Sequence, residues 1–380
     1  MLYLDHAATS PVRPEVLEAM RPYLSDVFGN PSSHHSVGEA AADALEWARA
    51  RVAGALGMRP GDVIFTSGGT EANNLAVKGI VLGGDRRHLI TTPIEHESVL
   101  ESADYLRRLH ATEVTLLPVD AQGRVGPDDL AAALRDDTAL VSFAHANNEV
   151  GTVQDAAALI AVAHERHVPV HVDAVQSAGW EDLRPLGRDA GVDAISVAGH
   201  KLGAPKGTGA LAVRSRVALE PLLHGGGQER GRRSGTENVA GAVALATAVD
   251  LAEAERAKDA AAIAATTAGF ITAVLAAVPS AALTGSPDHR LPNLASFTFA
   301  GTSGEAVLLE LERRGIVSSS GSACAAGSDE PSPVLLALGV PAEVAQTAVR
   351  FTFGRTVLPE SAAGRLAALV ADAVAAVGTS

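Results

Sequence analysis

Val168-Pro169-Val170-His171-Val172-Asp173-Ala174-Val175-Gln176 is the stretch whose reading decides the fold. A short, nearly continuous apolar run ends on an acid. A run that is apolar along its length, rather than at alternate positions, is covered on both faces, as parallel strands between helical layers are. Runs of this type recur at Val63–Thr66 and at 88–92, 113–118, 140–144, 194–197 and 210–213. Helical patterns at 37–56, 128–134 and 155–167 precede or separate them. The pattern predicts an α/β layered architecture. The alanine-rich, helix-favouring region 239–278 has few turn signals, and there the chain is expected to leave the sheet domain. A smaller α+β domain should follow, with strands at 295–299 and 349–353 and a final amphipathic helix at Ala362–Val377. The expected division assigns 15–255 to the large domain, and 1–14 with 256–380 to the small one. Neither an internal repeat nor a low-complexity tail is visible.

The 380 residues are 47% hydrophobic and 19% charged, an ordinary globular balance with ample core. One cysteine rules out a disulfide framework within the chain and suits a reducing cytosol. Residues Met1 to His6 lack a basic region followed by an apolar stretch, so no signal peptide is expected. The apolar run 239–249 stops at Asp250, too short to cross a bilayer. A net charge of −14 disfavours general binding to nucleic acid or anionic membrane, while leaving a basic partner open. A cytoplasmic protein is expected.

In open α/β sheets ligands bind beyond the carboxyl ends of the strands, so the residues after each strand carry the argument. Ser67-Gly68-Gly69-Thr70-Glu71-Ala72-Asn73-Asn74 opens a helix with two glycines and a hydroxyl. Free N–H groups there can cradle an anion. The alternative is a simple cap by Ser67 or Thr70, with Glu71 in the first turn. Asp173 can cap a helix or hold a protonated ring nitrogen. Ala198-Gly199-His200-Lys201 places a lysine directly behind a strand end. Apolar or cationic neighbours would lower its pKa and favour a nucleophilic or Schiff-base amine; a solvated surface lysine is the alternative. Gly203-Ala204-Pro205-Lys206-Gly207-Thr208-Gly209 fails the nucleotide-loop pattern, because Lys206 precedes Gly207 and no Gly-Lys-Ser/Thr follows. His164, His167 and His171 have no supporting cysteine or acid cluster, so no metal site is expected. The lone Cys324 sits among small residues at 318–328, a stretch that reads as an exposed loop. It is either an inert small hydrophobe or a thiol able to travel to a substrate.

An anion cradle, an acid for a pyridinium nitrogen and a Schiff-base lysine are three requirements of one cofactor, pyridoxal 5'-phosphate. With these in chain order, the sequence resembles the cysteine desulfurases, class V aminotransferase relatives that move sulfur from L-cysteine onto their own cysteine. The resemblance runs through Tyr3-Leu4-Asp5-His6-Ala7-Ala8-Thr9, Gly29-Asn30-Pro31-Ser32-Ser33-His34, the 67–74 stretch and Glu95-His96. It continues in Asn147-Asn148-Glu149-Val150-Gly151, the 171–177 and 199–201 stretches, Gly225-Gly226-Gly227-Gln228-Glu229-Arg230 and Arg233-Ser234-Gly235-Thr236-Glu237-Asn238. It closes on Ser320-Gly321-Ser322-Ala323-Cys324 and Arg350-Phe351-Thr352, and so covers essentially the whole chain.

The resemblance implies a fold type I pyridoxal-phosphate transferase: a mostly parallel, seven-stranded sheet domain plus the smaller α+β domain. It makes Lys201 the Schiff-base lysine and proton shuttle, Asp173 the partner of the ring nitrogen, and His96 the residue stacked on the ring and serving in proton transfer. Gln176 would donate to the ring's phenolic oxygen, and Asn147 would contact cofactor or substrate. Thr70 and His200 would hold the phosphate, which Thr236 would reach from the neighbouring subunit of a homodimer. Arg350 would grip the substrate carboxylate, and Cys324, on a long loop at about 318–332, would take the sulfur as a persulfide. Acceptors implied are iron–sulfur scaffolds or tRNA-thiolation proteins. The sequence stops soon after its last helix, where iron–sulfur enzymes of this kind carry a docking tail, so the scaffold is the less secure expectation. Rival readings are a selenocysteine lyase, another pyridoxal-phosphate lyase, or a non-catalytic sulfur-relay protein. One position departs from the pattern: Ala198 stands where a phosphate-binding serine is usual, and Ser196, further back on the strand, is a poor substitute.

Overall fold

A computed structural model describes residues 1–321, 330–359 and 361–378. Its main sheet has seven strands in the order Val63–Thr66, Gly209–Val213, Ala194–Ala198, Val170–Asp173, Thr138–Ala144, His88–Thr91, Glu113–Leu116. The five from Ala194–Ala198 onward are parallel; Gly209–Val213 runs antiparallel to both its neighbours. Each strand expected in this region is present. The one expected at 113–118 ends at Leu116, before Pro118, which has no N–H to add to a ladder.

Side chains alternate between two covered faces. Val63, Ile90, Val141, Val172, Ile195 and Ala212 pack under helices Ser36–Ala55 and Ala156–Glu165 and the first half of helix Val239–Ala277. Ile64, Leu89, Leu140, Ala194 and Leu211 pack under helices Gly69–Gly83 and Glu97–His110. The near-continuous apolar runs have their explanation here: away from the edge strand Glu113–Leu116, neither face of the sheet meets water.

A second core surrounds the antiparallel sheet Ala281–Leu283, Leu294–Phe299, Ala348–Thr352. Phe270 meets Phe297, Phe351 and Phe353 edge-on, with centroids 5.2–6.0 Å apart. Helix Val239–Ala277 joins the cores: Ala242–Ala252 lies in the first, and Ile263, Phe270 and Val274 in the second. By length and composition this helix could cross a membrane. Its middle, however, carries Asp250, Glu253, Glu255, Arg256, Lys258 and Asp259, and Glu255 pairs with Arg13 at 2.6 Å. It is a core helix of two packed units.

The N-terminus belongs to the second core. Leu2–Tyr3 pairs in parallel with Ile316–Val317, and Asp5 bridges to Thr352. From there residues 6–9 run along the carboxyl ends of the main strands. Ala7, Ala8 and Thr9 line a cavity there.

Candidate active site

The carboxyl ends Ala144, Asp173 and Ala198 open into a cavity of about 1130 Å³, walled on the far side by Arg350. Lys201 enters it from the single turn Gly199–Lys201, immediately after its strand. Its Nζ donates to the carbonyl of Ala7 and, at 2.7 Å, to that of Ala8. Burial, reinforced by the Arg350 charge, brings its pKa down to about 8. Such an amine loses its proton readily, which makes it a nucleophile and a proton carrier.

Asp173 ends the neighbouring strand and is 6% exposed. Asn73 Nδ2 donates to its Oδ2 at 2.6 Å, and the Val175 N–H donates to Oδ1 at 2.9 Å. No arginine, lysine or histidine is bonded to it among the described residues. Burial raises its pKa against those two donors and the more distant His96 and Lys201. A buried carboxylate without a cation is costly, and a protonated pyridine nitrogen arriving from the cavity would offset that cost. Asn73 Oδ1 is also buried without a partner among the described residues.

His96 caps helix Glu97–His110. Its Nδ1 accepts from the Ser98 N–H at 3.0 Å, which leaves Nε2 as the nitrogen available to the cavity. Gln176 Nε2 donates to the Ala7 carbonyl at 3.0 Å. Thr70 lies in the first turn of helix Gly69–Gly83, behind Gly68, whose φ of 156° suits glycine. A Cβ on Gly209 would lie 2.6 Å from the Gly68 backbone, so a glycine at 209 allows the turn and the strand to touch. His200 Nδ1 lies 3.2 Å from Thr9 Oγ1, and burial, then the Lys201 and Lys206 charges, lower its pKa to about 4. It is neutral at physiological pH.

Arg350 is 1% exposed. Its Nη2 donates to Asp5 Oδ1 at 2.8 Å, and its Nη1 to the carbonyls of Asn148 at 2.8 Å and Gly321 at 3.2 Å. Nε has no partner.

Some expected residues lie elsewhere. Asn147 is not on the cavity wall: its Oδ1 accepts from the Glu149 and Val150 N–H groups and its Nδ2 donates to the Ile94 carbonyl, so its amide braces a turn. Its neighbour Asn148 lines the cavity. Thr236 is exposed and absent from the cavity of its own chain. Ser196 Oγ is bonded to His171 Nε2 at 2.8 Å, and His171 Nδ1 to Ser142 Oγ at 2.9 Å, so neither Ser196 nor His171 is free for other work. No metal-type cluster occurs among the described residues. Cys324 falls outside them.

Two buried acids escaped the sequence reading. Glu95 accepts from Thr92 Oγ1, and burial lifts its pKa to about 8. Glu149 accepts from Ser332 Oγ at 2.6 Å and is also raised by burial. Asn73 was missed as well. Its signal was a polar residue on the apolar helix face formed by Ala72, Leu75 and Ala76.

The family model described as aminotransferase class-V matches residues 2–360. The chain belongs to this family. It is 46% identical over 355 residues to the cysteine desulfurase IscS of Dictyoglomus turgidum, covering 93% of this chain and 89% of that protein. It is equally 46% identical, over 365 residues, to the IscS-like cysteine desulfurase of Mycobacterium tuberculosis, covering 94% and 92%. Among solved structures, a NifS-like protein superposes with a TM-score of 0.91 at 33% identity, covering 99% of this chain and all of the other. A structure described as SspA in complex with cysteine gives 0.82 at 36% identity, covering 94% of this chain and all of that one. Enzymes of this family use pyridoxal phosphate, and the residues around the cavity fit it. Asp173 would hold the ring nitrogen, Lys201 the aldehyde carbon, and the 68–70 turn with His200 the phosphate.

Proposed function

We propose that this cavity is the active site of a pyridoxal-phosphate-dependent cysteine desulfurase, which turns L-cysteine into L-alanine and passes the sulfur to Cys324 as a persulfide. The observation that carries the reading is the convergence of Lys201, Asp173 and Arg350 on one cavity in a chain of this family. Bound pyridoxal phosphate supplies an electron-withdrawing ring that stabilises negative charge at the substrate α-carbon.

The chain's own groups do the rest. Arg350, held flat by Asp5 and two carbonyls, offers its guanidinium to the substrate carboxylate, which must share or take the place of Asp5 on Nη2. Lys201 Nζ is held over the site by the Ala7 and Ala8 carbonyls and carries the α-proton. Asn73 and the Val175 N–H keep Asp173 aimed at the ring nitrogen, so the ring stays protonated. His96, with Nδ1 tied to its own helix, moves protons through Nε2. The Cys324 thiolate attacks the substrate sulfur. An S–S bond forms, the carbon–sulfur bond breaks, and the electron pair left on carbon takes a proton to give alanine.

Further assignments rest on the same reading. Exposed Thr236 serves the phosphate of a second copy, which makes the enzyme a homodimer. The two cores divide the chain into 15–255 and 1–14 with 256–380. The persulfide passes to an iron–sulfur scaffold or a tRNA-thiolation protein in the cytoplasm.

The test is mass spectrometry after mixing with L-cysteine. A sulfur adduct mapped to Cys324, with alanine released, is the expected result. Turnover with Cys324 unmodified, or turnover that survives Cys324→Ala, would favour a lyase that expels its product directly.

A further inference from the structure

The notch between two antiparallel strands brings a further cation to the cavity. Ala194–Ala198 and Gly209–Val213 are neighbours in the sheet, with Ala198 opposite Gly209, and Gly209 also opposite Thr66. The connection 199–208 must therefore fold back beside the Gly68-Gly69-Thr70 turn. The Gly199 N–H donates to the Thr208 carbonyl at 2.9 Å and Thr208 Oγ1 donates to the Pro205 carbonyl at 2.7 Å, which closes this connection tightly. Lys206 and Gly207 thus line the same cavity as Gly68, Gly69, Thr70 and His200.

A phosphate seated at this end would otherwise meet neutral donors. Thr70 offers a hydroxyl and the 68–70 turn offers backbone N–H groups. His200 is uncharged. Ala198 has no polar atom to give, and the nearest hydroxyl on its strand, Ser196, is bonded to His171. Arg233, the other nearby cation, is held by Glu71 at 2.9 Å. Lys201 is required at the ring, and Arg350 is paired with Asp5 across the cavity. Lys206 is exposed and has no ion pair or hydrogen bond among the described residues. Its charge already reaches His200.

We propose that Lys206 supplies the cationic contact to the cofactor's phosphate that no other side chain at that end of the cavity makes. The inference rests on the pyridoxal-phosphate reading of the site. It gives the 203–209 stretch a purpose: a phosphate contact built from a strand-to-strand connection, where the sequence pattern had excluded a nucleotide loop.

The test compares two ligands on enzyme stripped of cofactor: pyridoxal phosphate, and pyridoxal, which lacks the phosphate. Binding is followed by the absorbance of the lysine adduct. Lys206→Ala should weaken pyridoxal phosphate about tenfold, the scale of one solvent-facing charge-assisted contact, and leave pyridoxal unchanged. Lys206→Arg should retain most of the affinity, and Ala198→Ser in the Lys206→Ala background should restore part of it. Added salt should weaken pyridoxal phosphate binding more in the parent enzyme than in Lys206→Ala. Unchanged pyridoxal phosphate affinity in Lys206→Ala would overturn the proposal, as would an equal loss for both ligands, since that would mean a displaced loop. A parent enzyme that forms no adduct with either ligand would remove the cofactor reading itself.

Discussion

The two ends of the cavity meet anions in opposite ways. At the Arg350 end the cation is buried, already paired with Asp5, and bonded to two carbonyls. At the 68–70 end the donors are neutral, partly open to solvent, and joined by one exposed lysine. On the proposed function, the difference follows from what each end would have to do. A resident cofactor needs donors that stand ready and cost little to desolvate. A substrate that comes and goes is better read by a rigid, pre-aimed guanidinium whose internal partner fills the place between turnovers.

The largest effect should fall between the two ends. Lys201→Ala should lower alanine release by ~10³-fold or more, because nucleophile and proton carrier are lost together. Cofactor should still be retained through its phosphate. If retention falls as far as turnover does, the separation of the two ends fails. Arg350→Ala should come next, with kcat/KM down by ~10²-fold and the loss mostly in KM, since a buried charge partner typically counts for about 2–5 kcal/mol. It should also lower thermal stability, because Asp5 is left without its cation. A loss confined to kcat would place Arg350 outside carboxylate recognition.

Asn73→Ala should be milder. Removing one donor from buried Asp173 costs about 1–3 kcal/mol, and the ring should bind more weakly whether or not it carries a phosphate. Thr70→Ala is expected to do the reverse, weakening pyridoxal phosphate by about 1 kcal/mol while pyridoxal binds as before. Swapped ligand dependence between these two variants would reverse the orientation of the cofactor.

A separate effect concerns acid. His145 and His171 are buried and His200 is half-buried, with pKa values brought down to about 4, 3 and 4. All three are uncharged in folded and unfolded chains above pH 6.5, so stability is complete there. Below it the unfolded chain takes up protons that the folded chain refuses, and stability falls by at most about 1.4 kcal/mol per pH unit for each of buried His145 and His171, and by less for His200, which solvent screens. Thermal melts should drop steadily from pH 6.5 to 4. The slope should be shallower in His171→Asn, and an unchanged slope would show that His171 is not held neutral.

Much of this was readable along the chain. The apolar run before Asp173, the strand before Lys201 and the glycines at 68–69 are local patterns, and each predicted its element. The pattern also suited parallel strands covered on both faces, but it did not mark Gly209–Val213, which is just as buried and runs antiparallel to both neighbours. What escaped reading was commitment. Asn147 stands in the expected motif, and only the structure shows its amide bonded to Ile94, Glu149 and Val150. Ser196 has a hydroxyl on the cavity side of its strand, yet His171 holds it. Glu95 and Glu149 looked like ordinary motif acids, and only burial marks them as unusual.

The sequence by itself determined which residues stand at strand ends and helix starts, because those depend on neighbours a few positions away. Tertiary structure alone decided their partners. Asn73 meets Asp173 across 100 residues, and Asp5 meets Arg350 across 345. Lys206 reaches the phosphate end only because two antiparallel strands fold its connection back beside Gly68. Such meetings depend on which surfaces pack against each other once the chain has closed, and no local pattern records that.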